Sequence, residues 1–599
     1  MNKIILTPDT LLKEIKAIDL SCGGPQQSYS PFFSSIGLIA DEKTNGVGDL
    51  LFHYNRATRS VFHKTIGFHK TLSCKLSDFT RLVCGNDELS VSFFEKNSFV
   101  AVCKTDRPIP VFFEPDPLTE SFWFDLSDPL YPMILGYSEN QDARDPDRYV
   151  PFAIMLRPFS CRYTVNDNVL SFLPERSDTV CFAATIELLE YDTDRMKTRL
   201  QQAPQSAETA VETTERWAYE CVKDFKLTVP DAQTAEKICF SVLGLLFNLT
   251  RAEGALKNHI SAFPNRGVYP THYLWDTCFQ NLAYENMSLS LAEDLILQNI
   301  DMQRNDGKYG QFLCSTWARP HDSQPALIGW AAYRLARKTQ NRSFVDAVIP
   351  SLIRNTKWWL TQRRTDCGLI CTLGGLETGQ DNSPRFDNGP TIAADMNAFL
   401  LNQMCCIARL AEMAEDKCTA SEWDRRAKDY AARIRDVLYD SDTGIFFDLE
   451  LKSRKKVRVL SPSGLLPLWA GDVLSQEESK QCIRKHLLKP DSMFGAFPFP
   501  SVSYLDPAFD SSDWWRGPVW LPIACLMLEC LEKYGFTEEK MIAAERLYKM
   551  TVADGEMHEL FDSLTGKGMG SAQQGWTCAV FIRLLELLGS AGNSDMDEV

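Results

Sequence analysis

From about residue 231 to residue 590 the chain repeats one pattern a dozen times: apolar residues at helical spacing, then a long loop. A period near 3.6 puts one face of each segment against a core. It predicts helices at 233–252, 275–286, 289–304, 323–338, 343–363, 391–414, 420–439, 462–470, 476–488, 518–534, 537–553 and 574–589. Ser323 can cap one of these, with Pro325 in its first turn, and Gly517 followed by Pro518 suits the start of another. No close repeat of 20–50 residues is visible, which argues against a short-period solenoid. Twelve helices in one domain point to six antiparallel pairs closed as an (α/α)6 toroid, although periodicity alone does not show the closure.

The first 200 residues read differently. Segments such as Ser90 to Phe94, Phe99 to Cys103, Val111 to Phe113 and Val180 to Leu188 are short and rich in Phe, Val, Thr and Ile. Clusters of Asp, Asn, Gly and Pro separate them, as turns separate strands. Many short strands predict a β-sandwich. Ala207, Ala210, Val211, Thr214, Ala218, Cys221, Val222 and Phe225 then fall at helical spacing. The expected organisation is a multidomain chain: a β-sandwich over 1–204, a linker helix over 205–230, the all-α toroid over 231–592 and a disordered tail over 593–599.

Composition narrows the function. A formal charge of −16 over 599 residues disfavours a nucleic-acid surface, which needs a basic footprint. No run of eighteen apolar residues signals a membrane span. The N-terminal apolar run stops at Pro8 and Asp9, unlike a signal peptide. Nineteen scattered cysteines without a CxxC pair predict reduced thiols and a cytoplasmic location. The eight histidines show no HxxxH or HExxH spacing, so no metal or cofactor is expected.

Five loops, each just before a predicted helix, concentrate aromatic rings, carboxylates and glycine. They are Tyr273 to Phe279, Asp306 to Pro325, Gly375 to Asp387, Asp513 to Trp520, and Glu559 to Gly566 continued by Gln574 to Thr577. On one rim they would wall a polar, aromatic pocket. Such a pocket suits a sugar, whose hydroxyls need donors and acceptors and whose C–H faces pack on indoles. Glycosidic hydrolysis also needs two carboxyl groups flanking the bond, one protonated and one ionised. Asp381 and Glu559 lie on different loops and can face each other. Asp387 and Glu556 are neighbouring carboxylates, and an Asx-type turn is the competing use of Asp381. Trp514, Trp515 and Trp520 fit core packing equally well, and Gln324 fits a helix cap.

These loops resemble those of glycoside hydrolase family 63 and its trehalase relatives, especially the mannosylglycerate-hydrolase-like members. The matching pieces are Trp275-Asp276 with Phe279, Ser323-Gln324-Pro325, Glu377-Thr-Gly379-Gln-Asp381-Asn-Ser-Pro-Arg385, Trp515-Arg516-Gly-Pro-Val-Trp520, and Glu559 with Phe561-Asp562 and Thr565-Gly566, in family order. The resemblance implies an (α/α)6 barrel, an N-terminal β-sandwich as in the larger members, and inverting cleavage of an α-glycoside. It places the general acid on Asp381 and the general base on Glu559. It puts Trp275, Asp276, Gln324, Gly379 and Arg516 around the sugar; Glu377, Arg385, Trp515 and Trp576 complete the substrate-binding set. Asp322, Asn382 and Pro384 depart from the trehalase pattern. The expected function is an α-glucosidase-type hydrolase acting on an oligosaccharide or small glycoside, without a cofactor. The alternatives are an α-mannoside or glycosylglycerate hydrolase, an α-rhamnosidase, a sugar epimerase and a non-catalytic carbohydrate-binding protein.

Overall fold

The computed structural model describes residues 3–16, 26–28, 35–41, 46–53, 74–78, 81–84, 87–95, 97–104, 111–113, 120–139, 149–159, 161–166, 169–175, 179–188, 190–203, 208–250, 256, 258–265, 268–269, 271–313, 318–319 and 323–591. They form two compact units. One gathers the described part of Thr7–Lys223 with Leu249 and Thr250; the other gathers Ile4–Leu6, Asp224–Asn248 and the described residues after 252.

The first unit is built on an eight-stranded antiparallel sheet. Its strands run, in spatial order, Glu120–Asp125, Met133–Glu139, Tyr149–Pro158, Thr179–Leu188, Ser98–Lys104, Asp87–Glu95, Arg81–Cys84 and Cys74–Asp78. Alternation along the central strands supplies two apolar faces. Val100, Met133, Ala153, Met155 and Ala183 point to one face, where Met196 and Leu200 of a helix pack on them. Phe182 points to the other and stacks on Phe172 of a three-stranded sheet, with ring centroids 4.7 Å apart. Both faces are covered, so Phe152 through Leu156 are all buried. Three helices belong to this unit: α1 (Pro8–Ile15), α2 (Thr193–Gln201) and α3 (Glu208–Val222). The last covers most of the helical spacing read at 207–225.

The second unit is helical. Its helices are α4 (Ala232–Asn248), α5 (Leu274–Met287), α6 (Leu289–Asp301), α7 (Ile328–Thr339), α8 (Arg342–Gln362), α9 (Gly375–Thr378), α10 (Ala394–Met413), α11 (Lys417–Leu438), α12 (Leu466–Ala470), α13 (Gln476–Cys482), α14 (Leu521–Lys533), α15 (Thr537–Ala553) and α16 (Gly575–Ala591). Packing runs α5 to α7, α10, α12, α14, α16 and back to α5, a closed ring of six. Outside it, α6 packs on α5 and α7, α8 on α7 and α10, α11 on α10, and α15 on α14 and α16. The burial patterns explain the sorting. On α5 every residue but Asn286 is buried, as a helix surrounded by others requires. On α11 the buried residues Ala420, Trp423, Ala427, Tyr430, Ala431, Ile434 and Leu438 form one stripe, and the rest meets water.

Each of the twelve predicted helical segments overlaps one of these helices, but four begin three to five residues later than predicted, and α11 begins three residues earlier. Ser323 to Leu327 is not helical, and α7 begins at Ile328 without a side-chain cap. The Ser323 hydroxyl donates instead to Glu377, 2.7 Å away. Pro518 does not open α14, which starts at Leu521, because Val519 exchanges backbone hydrogen bonds with Phe561. Thr391 and Ile392 pair as a strand with Glu450 and Leu449 before α10 begins. The 462–470 segment opens as a 3-10 turn at Pro462–Gly464. In the first three cases a partner distant in sequence overrides the local helical preference. Asp322, His321 and the tail at 593–599 lie outside the described residues.

Candidate active site

The loops that precede α5, α7, α10, α14 and α16 meet over one end of the helical ring. They enclose a cavity of about 220 Å³ lined by Pro264, Tyr269, Tyr273, Trp275, Asp276, Gln324, Leu376, Gly379, Asp381, Trp514, Trp515, Trp520, Glu559, Gln574 and Trp576. Its volume is below the roughly 300–1,000 Å³ of drug-sized pockets, and it opens to solvent beside Asp381.

Asp381 stands at the apex of a tight turn. Gly379 ends α9 in the left-handed conformation, and the Ser383 N–H donates to the Gln380 carbonyl at 3.1 Å. The flanks of that turn are fixed by buried polar groups. The Gln380 amide donates to Asp395 and Ser463 at 2.9 and 3.1 Å. Arg385 is locked between Asp395 and Asp448 at 2.6 and 2.8 Å. Gly379 also seats Trp275: a Cβ there would lie 2.6 Å from the indole. Asp381 is open to solvent at the mouth of the cavity, and the protein around its other sides raises its pKa by desolvation.

Glu559 is presented by a hairpin. Leu560 and Phe561 pair with Gly568 and Met569. Asp562 closes the turn by accepting from the Leu564 and Thr565 N–H groups at 2.9 and 2.8 Å. The Glu559 carboxylate accepts from the Ser571 N–H (3.0 Å), the Ser571 hydroxyl (3.1 Å) and the Tyr269 hydroxyl (3.3 Å). Burial raises its pKa, the three donors oppose that rise, and the nearby Asp381 charge adds to it. Gly570, at φ +77°, is required beside it, since a Cβ would come within 2.8 Å of a Glu559 carboxylate oxygen. Asp276 is fully enclosed, and its pKa is pushed well above the ordinary range by burial first and then by Glu559.

The wall is aromatic. Trp515 stacks on Trp520 at 3.8 Å, and Trp275 lies about equally far from Trp515 and Trp576, at 6.0 and 5.8 Å. The Trp576 indole N–H donates to the Glu559 carbonyl at 3.0 Å, tying this wall to the hairpin. Trp514 holds φ +31°, a strained value for a bulky residue, and its carbonyl accepts from the Trp520 indole at 3.0 Å. Gln324 accepts from the Trp275 N–H at 3.3 Å, satisfying a free first-turn donor of α5 from another loop.

Of the residues singled out in the sequence, Trp275, Asp276, Gln324, Gly379, Asp381, Trp515, Glu559 and Trp576 line the cavity together. Glu377, Arg385 and Arg516 do not. Glu377 accepts from Ser323, the Leu373 N–H and Arg363, stitching three segments. Arg385 is spent on its two aspartates, and Arg516 turns to Asp387 and Asp513. Sequence reasoning passed over Pro264 and Tyr269; Leu376, Gln574, Trp514 and Trp520 lay in its five loops without being named as sugar contacts, and the two tryptophans were left open between wall and core. The spacing of Tyr269, Tyr273 and Trp275 ahead of an all-buried helix was the available signal for the tyrosines.

None of the described histidines lines the cavity. His272 is held between Ser261 and Asn299, and burial lowers its pKa to about 4. His259, His486 and His558 bond to Asp294, the Thr443 carbonyl and Asp554. Among the described residues no three His, Cys, Asp or Glu side chains converge as a metal site, and no helix is long and apolar enough to cross a membrane.

A ring of paired helices carrying acidic groups and indoles at one end is an architecture suited to carbohydrate chemistry, and comparison with known proteins shows that the chain is a glycosidase. It belongs to the mannosylglycerate hydrolase MGH1-like glycoside hydrolase family, whose model matches residues 269–577. Mannosylglycerate hydrolase MGH1 of Selaginella moellendorffii is 23% identical over 401 residues, 54% of this chain and 81% of that protein. The mannosylglycerate hydrolase of Thermus thermophilus is also 23% identical, over 54% of this chain and 97% of its own length. In fold, the chain is similar to a family 63 mannosylglycerate hydrolase from Thermus thermophilus solved with Tris, with a TM-score of 0.51 at 20% identity over 57% of this chain and 98% of that one. A bacterial glucoamylase solved with acarbose matches over 94% of both chains, with a TM-score of 0.58 at 11% identity, so the likeness in fold extends into the sheet region.

Proposed function

We propose that the protein is an inverting hydrolase of a small α-linked glycoside, with Asp381 as general acid and Glu559 as general base. The carrying observation is that these two carboxyls, from loops 178 residues apart, line one aromatic cavity. Desolvation favours the protonated form of Asp381, as a donor to the leaving oxygen requires. Three hydrogen bonds favour the ionised form of Glu559, as a base activating water requires. Inversion needs room for that water, with carboxyl groups about 6.5–9.5 Å apart. Asp276, Trp275, Gln324, Trp515 and Trp576 would hold the reacting sugar. The architecture behind this reading is an (α/α)6 toroid preceded by a β-sandwich.

The glycone is glucose or mannose. The named relatives favour α-mannosyl conjugates such as mannosylglycerate, while the small cavity accommodates either hexose. The test is hydrolysis of a panel of α-glucosides, α-mannosides and α-rhamnosides, with NMR of the first anomer released. The β-anomer should form first, and both Asp381→Asn and Glu559→Gln should slow its release by about 10²–10⁴-fold. Release of the α-anomer would mean retention. Sugar binding without turnover would favour a binding protein.

A further inference from the structure

Asn382 follows Asp381 directly, and its side chain crosses to the tryptophan loop instead of closing a local turn. Its Oδ1 accepts the Trp515 N–H at 2.8 Å, and its Nδ2 donates to Asp513 at 2.8 Å. Both ends of one short amide are thus committed to the loop that carries Trp515. On the other side of Asp381, Gly379 lies against Trp275, where no Cβ would fit. Trp275 in turn neighbours Trp515 at 6.0 Å. The contacts close a circuit: Gly379, Trp275, Trp515, Asn382 and back through Asp381. Asp381 hangs between two anchors, and both anchors reach the aromatic wall.

We propose that Asn382 is a positioning residue for the general acid. It fixes the Asp381 carboxyl relative to the sugar platform, and it does so by holding Trp515, not by touching substrate. This rests on Asp381 being the acid. The residue is suited to the task because a short side chain with one donor and one acceptor has few rotamers to lose. Alanine would remove the acceptor of the Trp515 N–H and leave the Asp513 carboxylate only its longer contact to Arg516. A shift of about 1 Å in a catalytic group is enough to cost roughly 100-fold in rate.

The test compares leaving groups. An alkyl α-glycoside of the preferred sugar needs protonation of its leaving oxygen; the matching α-glycosyl fluoride has little need of a general acid. Asn382→Ala should lower kcat on the alkyl glycoside by about 10–100-fold. On the fluoride the loss should stay within about threefold, because acid catalysis contributes little there. Fluoride turnover also reports a folded, sugar-competent site. Asp513→Ala, which removes the Nδ2 partner and the longer 3.6 Å contact to Arg516 but leaves the bond from the Trp515 N–H to Asn382, should show a smaller loss with the same preference. The double variant should be no worse than Asn382→Ala alone, as expected for groups acting through one contact. Equal losses on both substrates, or no loss on either, would overturn the positioning role. Asp381→Asn is the internal reference. If it shows no leaving-group dependence, the general-acid assignment fails, and that failure is separate from a failure confined to Asn382.

Discussion

Asp276 sits at the start of α5, wholly enclosed, with Glu559 and Asp381 within electrostatic reach. Its raised pKa has a cost in stability. A carboxyl whose folded pKa lies above its unfolded value favours folding below the unfolded value, and that advantage is lost as pH rises through the folded one. At neutral pH Asp276 therefore destabilises the fold. Asp276→Asn should raise the melting temperature at pH 7 and abolish glycoside turnover. The gain should vanish below about pH 4, where the unfolded carboxyl is also protonated. Thermal unfolding at the two pH values checks this; an unchanged melting temperature at pH 7 would contradict it. The same signs shape the activity profile. Burial raises both Asp381 and Glu559. Activity should be lost at low pH as Glu559 protonates and at high pH as Asp381 ionises. In Asp381→Asn the residual rate should lose its high-pH limb.

At the scale of elements, the turn bearing Asp381 and the hairpin bearing Glu559 are held by different physics. Buried charge holds the turn: Arg385, Asp395 and Asp448 join it to α10 and to the strand Asp448–Glu450. Removing one member of such a set strands the others, at a cost of about 3–5 kcal/mol. Arg385→Ala should lose stability of that order in urea unfolding, whereas a sugar ligand's loss would appear mainly in KM. Backbone conformation holds the hairpin. Gly570→Ala combines a positive φ with a clash against Glu559, so kcat should fall at least about tenfold as the carboxylate is displaced. An unchanged kcat would show that the hairpin can yield.

Across the helical unit, a second polar cluster braces the inner ring near the end of α5 away from Asp276. Glu285 lies nine residues beyond Asp276 on α5, roughly 14 Å along a helix. There Arg334 bridges Glu285 and Glu529 at 2.9 and 3.0 Å. The indoles of Trp330 and Trp469 also donate to Glu529, at 3.1 and 2.9 Å. One carboxylate thus fastens α7, α12 and α14. Glu529→Ala leaves these donors unsatisfied, at about 1–3 kcal/mol for a buried group. The variant should melt at lower temperature while KM and kcat on the remaining folded enzyme stay unchanged. A changed kcat would mean that the two ends are coupled.

Period and composition by themselves determined that strands precede a dozen helices, and which loops carry acidic and aromatic groups. Those are local properties: a 3.6-residue apolar period, turn residues, and motifs read in order. Local features left Asp381 and Glu559 as two candidate carboxylates among several; the resemblance of the loop motifs to a known family put the acid and the base on them. What only the tertiary structure decided was which loop side chains face the cavity. Arg385, Arg516 and Glu377 carry the same charge wherever they point, and partners distant in sequence turned each of them away. Tyr269 and Trp520 joined the wall for the converse reason, because closing the ring brought their loops to one rim. The same holds for helix starts at Ser323 and Pro518, where a hydrogen bond from elsewhere in the fold displaced a local signal worth about 1 kcal/mol.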